Sequence, residues 1–231
     1  MSHFIVAVFH NPGEDYEHLL APYDEQNEEY FEFKPTEESN AKIMETFEEE
    51  KKGYKNFDDF MERYYGYEKN DDGIWGYMCN PNAKWDWWQE GGRWNGFFKT
   101  KDGDDANCGY VDELEFGPDE NAYKNALRFW EVNVEDSPLN PGETKEDFLT
   151  FYRKEYYIEQ YGDKETYART QSLNIPWAFV TADGDWIENG RMGWFACHDA
   201  TNESRQTFVD LYMNYIKEHP HLYVTAVDCH I

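Results

Sequence analysis

Histidine sits at both ends of this chain, beside an aspartate at the second. His3 lies in the opening MSHFIVAVFH, and Asp228 and His230 lie in the closing VTAVDCHI. A histidine beside a carboxylate suits proton transfer, and histidine with cysteine suits a transition metal. His198, which follows Cys197, joins them as a third histidine. The spacing is no zinc pattern, and no GxSxG or HExxH sequence is present. In a strand, Asp228, Cys229 and His230 point to alternate faces, so at most Asp228 and His230 share one. His3, His198, His230 and Asp228 are the candidates for catalysis. The competing reading is that each histidine only satisfies local hydrogen bonds. No metal and no other cofactor is expected.

The second constellation is NPNAKWDWWQEGGRWNGFF, residues 80–98, with four Trp, three Gly and one Arg. Gly91 and Gly92 permit positive φ and a close approach of the backbone. Arg93 offers a planar fork for carboxylate or phosphate. Trp85, Trp87 and Trp94, with Trp88, could stack on a base or hold a partner side chain. Asp86 would accept from a sugar or base, or pair with Arg93 in a buried Trp-rich corner. A similar block, NGRMGWFACHD, brings Arg191 and Trp194 near Cys197 and His198. If Arg93 and Arg191 converge they form an anion site; taken singly, each would pair with one of the abundant carboxylates. Neither block is a Walker loop or a dinucleotide fingerprint.

That abundance is the dominant feature of the composition. Lys and Arg number 21 against 48 Asp and Glu, a formal net charge of −27 in 231 residues. Such a field repels nucleic acid and anionic membrane and attracts basic surfaces. Solubility alone, or a salt-adapted proteome, would give the same balance. The four cysteines are far apart and form no CxxC pair. With no cleavable leader and no apolar run near the roughly 18 residues of a membrane span, reduced thiols in a cytoplasmic protein are expected.

Positioning these residues takes a set of strands and helices. His3–His10 reads as a buried strand and LYVTAVDCHI as another. WAFVTADGDWIE, residues 177–188, is a hairpin around Asp183-Gly184. Further strands are expected over residues 28–34, 74–78 and 96–100, and KDGDDANCG as a polar loop. Helices are expected over 37–52, after the N-cap Asn56, from Pro118 to Trp130, after the N-cap Thr144, and over 203–218. The Thr144 helix would bury Phe148, Phe151, Tyr152 and Tyr156, and the last helix Phe208, Leu211, Tyr212 and Tyr215. Strands at both ends, with helices and a hairpin between, imply one α+β domain over 1–231, with a mainly antiparallel sheet and a helical insertion at about 118–172. A ferredoxin-like core with insertions is the preferred form, and it places His3 near His230.

The blocks MSHFIVAVF, LLAPYDE, NPNAKWDWWQEGGRWNGFFK, NGRMGWFA and VTAVDCHI together resemble an uncharacterised family of proteins carried by tailed bacteriophages and prophages. They cover just under a quarter of the chain. Family members usually have Thr in place of Ile5 and Tyr in place of Trp88. The resemblance implies no mechanism and no catalytic residue. It implies a setting: an accessory protein acting on host machinery or defence in the bacterial cytoplasm. Three functions then compete. The first, which the charge favours, is an acidic inhibitor occupying a basic, nucleic-acid-binding face of a host protein. The second is a protein that sequesters a nucleotide-like signal in a Trp/Arg pocket. The third is a nucleotide- or nucleic-acid-directed enzyme using the histidines. Direct nucleic-acid binding and membrane association are not expected.

Overall fold

The computed structural model describes residues 2–192 and 198–231. The protein is α+β, and it divides into two compact units. One comprises residues 1–20 and 87–231, the other residues 21–86. The sequence expectation of one domain with a helical insertion does not mark this division, which falls inside the Trp-Gly block, between Asp86 and Trp87.

The larger unit is built on a six-stranded sheet. Its strands are β1 (His3–His10), β2 (Trp87–Glu90), β3 (Cys108–Tyr110), β4 (Ala178–Val180), β5 (Trp186–Glu188) and β6 (Tyr223–His230). The order is β5-β4-β1-β6, with both β2 and β3 pairing the far side of β6. β1 runs antiparallel to β6 along all eight residues and parallel to β4; the other pairs are antiparallel. The expected hairpin is present as β4 and β5, and His3 does face His230 in register. A ferredoxin-like core is not confirmed. There the edge strand precedes the strand parallel to the first; here β5 follows β4.

The alternation of β1 makes two faces. Ile5, Ala7 and Phe9 turn to one side, together with Val224 and Ala226 of β6. Helix α4 (Asn202–Glu218) covers that side with Phe208, Tyr212 and Ile216. Each large side chain so buried contributes about 1.5–3 kcal/mol. Thr201 caps α4 by accepting from the Ser204 N–H, and Ser204 bonds back to the Thr201 N–H. Helices α1 (Glu120–Asn133), α2 (Lys154–Tyr161) and α3 (Lys164–Ser172) share a second core of Ala126, Trp130, Tyr157, Tyr167 and Ala168. A small three-stranded sheet joins Phe98–Thr100 to Asp105–Ala106 and Leu114–Glu115.

The smaller unit pairs a three-stranded sheet, Glu32–Pro35, Trp75–Cys79 and Glu68–Lys69, with helix Asn40–Glu50 and the turn-rich segment 57–65. Its core is Ile43, Phe60 and Met61. Asn56 caps Phe57–Phe60 as its sequence implies, accepting from the Asp59 N–H.

Four expectations need correction, the first being Leu211, which is 48% exposed rather than on the buried side of α4. Thr144 does cap, through Asp147, but the helix is a single 3₁₀ turn, Lys145–Phe148. Beyond it Leu149 and Phe151 are exposed, 77% and 105%, rather than buried on one side of a helix. The loop KDGDDANCG is partly strand, because Cys108 and Gly109 complete a ladder with Thr225 and Val224. Residues 87–90, which carry no strand signal beyond two adjacent tryptophans, form β2 because β6 offers them an open edge.

Candidate functional site

The end of the β1–β6 pair gathers the terminal histidines. Registers His3↔His230 and Ile5↔Asp228 put Asp228 diagonal to His3 on the α4 face, within reach of a long side chain. His3 Nδ1 lies 2.9 Å from Asp228 Oδ1. Asp228 is 1% exposed. With the Asp228 carboxylate as acceptor, His3 Nδ1 is the donor of this pair. The His3 ring meets His230 edge-on at 4.9 Å and Trp87 at 6.3 Å. A histidine fixed in one tautomer by a buried carboxylate can accept or deliver a proton at its free nitrogen.

The two glycines of the Trp block serve this carboxylate. β2 places Gln89 opposite Asp228, and the chain then turns over Asp228 at Gly91 and Gly92, with φ of +64° and +52°. A Cβ on Gly92 would lie 2.5 Å from both Cβ and Oδ2 of Asp228, so only glycine fits. The turn delivers the Arg93 amide, which donates to Asp228 Oδ2 at 2.9 Å. Arg93 thus contributes its backbone, while its side chain is exposed. Asn107 braces the same turn: its Oδ1 accepts from Gly96 N at 2.6 Å, and its carbonyl accepts from Ala226 N at 2.7 Å. Cys229 points to the opposite face, buried, and burial pushes its thiol well above the ordinary range.

A cavity of about 380 Å³ opens beside this pair. His3, Trp94, Phe97, Trp177, Asn189 and Arg205 line it, and Met192 brings in the second Gly-Arg-Trp block. Trp177 packs against the His198 ring at 5.1 Å. Burial holds the pKa of His198 down, and the charge of Arg205 adds to the effect against Asp199. A larger cavity of about 790 Å³, between α1, α3 and α4, has none of the sequence-derived candidates in its walls.

The remaining candidates fall elsewhere. Trp85 and Asp86 belong to the smaller unit. There Trp85 is buried and bridges Asp24, and the carbonyl of Asp86 accepts from Gln26 at 3.4 Å. Arg191 is exposed, with its Nε 4.0 Å from Asp199 and its amide bonded to the same carboxylate, so the carboxylate-pairing reading fits it. Trp194 and Cys197 lie outside the described residues. Among the described residues no group of three or more His, Cys, Asp or Glu is arranged to hold a metal ion.

Sequence reasoning missed Arg205, Trp177, Asn189 and Asn107. For Arg205 a signal existed. It stands three, four, seven and eleven residues before Phe208, Val209, Tyr212 and Ile216, on the buried stripe of α4. A cation on an apolar stripe is a buried cation.

Compared with protein-family models, curated proteins and solved structures, the chain matches none.

Proposed function

We propose that the protein binds a nucleotide-like small molecule in the cavity beside His3, in the phage accessory setting that its sequence resemblance implies. One observation carries this reading. Sequence blocks about 90 to 190 residues apart converge there: His3 of the opening strand, Trp94 of the GGRW block and Met192 of the RMGW block line one cavity. Asp228 of the last strand fixes His3 and the Gly-rich turn together. Convergence of separate segments on an aromatic-walled cavity with a few polar groups is the usual form of a ligand site. Native mass spectrometry of protein purified gently from infected bacteria tests it. A bound species of nucleotide size is the expected result, released on denaturation; protein with no small molecule in any preparation would count against it.

A second reading rests on charge. Both units are acidic: residues 21–86 carry 18 carboxylates against 8 Lys and Arg, and the rest of the chain 30 against 13. Many of the cations are already engaged, as in Lys34–Glu37, Lys69–Asp58 and Arg128–Glu143. The uncompensated surplus suits a host protein that presents a basic, nucleic-acid-binding face.

A further inference from the structure

Arg205 is 7% exposed in a chain with 48 carboxylates, yet among the described residues no carboxylate lies within ion-pair distance of it. Its partners are neutral. Nη1 donates to the Gln160 carbonyl at 3.2 Å and Nη2 to Gln160 Oε1 at 3.3 Å. Its guanidinium lies over the Tyr161 ring at 4.8 Å. A guanidinium has five N–H donors, and among the described residues its hydrogen bonds, both to Gln160, use two of them. A buried charge without a counter-charge is costly, and an acidic protein had partners to spare.

The same cavity holds a second donor. Among the described residues, Trp177 Nε1 is buried without a hydrogen-bond partner, and so is the acceptor Asn189 Oδ1. Both residues line the cavity with Arg205. Trp177 and Arg205 flank the same side chain, His198: one by ring contact, the other by its charge. Trp94 and Phe97 form apolar wall on the same cavity. A guanidinium with spare donors and an indole N–H favour an oxyanion; the aromatic walls favour a flat body.

We propose that this cavity is an oxyanion site: a flat, ring-containing small molecule carries its phosphate or carboxylate to Arg205 and the Trp177 N–H. The inference rests on the ligand-binding reading above and adds the ligand's charge and its anchor. Neither Arg93 nor Arg191 is the anchor.

Calorimetric titration of the folded protein separates the two claims. The probes are the four ribonucleoside 5′-monophosphates, the four matching nucleosides and inorganic phosphate. At least one monophosphate is expected to bind ten-fold or more tighter than its own nucleoside and than inorganic phosphate. Arg205→Gln should bring that monophosphate to the affinity of its nucleoside and leave the nucleoside unchanged. Should Arg205→Gln not fold, Trp177→Phe, which keeps the ring and removes the N–H, should lower monophosphate affinity several-fold and leave nucleoside binding alone. Nucleosides binding as tightly as monophosphates, or a folded Arg205→Gln that discriminates like the parent, would overturn the anchor while leaving the ligand-binding reading intact. Binding of none of the probes at millimolar concentration would remove the oxyanion site as stated, and native mass spectrometry would then decide the broader reading by itself.

Discussion

Asp228 and Arg93 show how differently a residue and its side chain can matter. Asp228 is buried and accepts from both His3 and the Arg93 amide, so Asp228→Ala strands two donors. The expected cost is about 1–3 kcal/mol for each donor left buried and unsatisfied. Arg93→Ala keeps the amide and removes only an exposed side chain, so it should stay within about 0.5 kcal/mol of the parent. Urea unfolding of the two variants beside the parent checks this; a larger loss at Arg93 would show that its guanidinium is structural after all. His10 gives a pH dependence. It is buried, with Nδ1 3.1 Å from the Asn11 carbonyl and Nε2 3.0 Å from the Thr225 hydroxyl. Burial lowers its pKa from 6.5. The unfolded chain therefore takes up the proton first, and this contribution is complete above pH 6.5 and lost as pH falls below it. The stability advantage of the parent over His10→Gln should shrink between pH 7 and pH 5.5; an advantage that grows would reverse the sign. Much of the site was legible at this scale. His, Asp and the Gly pair can be named from their types, because glycine at a tight approach and histidine near carboxylate are chemical necessities. The anchor was legible only as a cation on the apolar stripe of α4, and it was passed over because Arg93 and Arg191 stand in more conspicuous company.

Among the elements, α4 is the one that closes the sheet, and its central residue carries an unresolved cost. Tyr212 is fully buried, and among the described residues its hydroxyl has no hydrogen-bond partner. Tyr212→Phe removes a desolvated polar group without opening a cavity, so it should be neutral or stabilising, by up to about 1–2 kcal/mol. Thermal melts decide; a clear loss would mean that the hydroxyl has a partner in solution. The helix, the two terminal strands and the hairpin β4–β5 can all be read from periodicity and turn residues. β2 cannot. Trp87-Trp88-Gln89-Glu90 has no alternation of its own, and it becomes a strand only because β6 presents an unpaired edge. The segment after Thr144 fails for the converse reason. Phe151 is fully exposed and Tyr152 only stacks on Tyr156 of α2, so neither is drawn into a helix, and the turn stops at Phe148. Periodicity reports what could be buried; only tertiary neighbours decide whether it is.

For the whole molecule, −27 charges on 231 residues mean self-repulsion as well as solubility. Salt screens that repulsion, with a Debye length of about 30 Å at 0.01 M and about 8 Å at 0.15 M. The melting temperature should therefore rise with sodium chloride over this range and level off above it. A falling melting temperature would show that the surface ion pairs outweigh the repulsion. Association with a basic host protein, if it occurs, should slow over the same range, whereas binding of a small ligand in the cavity should change much less.

The sheet is also assembled from the two ends of the chain. β1 is flanked by β4 and β6, whose residues come from 178–180 and 223–230, and Ser2 exchanges hydrogen bonds with Ile231. At a synthesis rate of about 5–20 residues per second, β1 leaves the ribosome on the order of ten seconds before β6 exists. Until β4 and then β6 are made, the apolar segment IVAVF lacks first both and then one of its native neighbours. The time of greatest exposure to wrong pairing is thus set by translation, and a slower ribosome lengthens it.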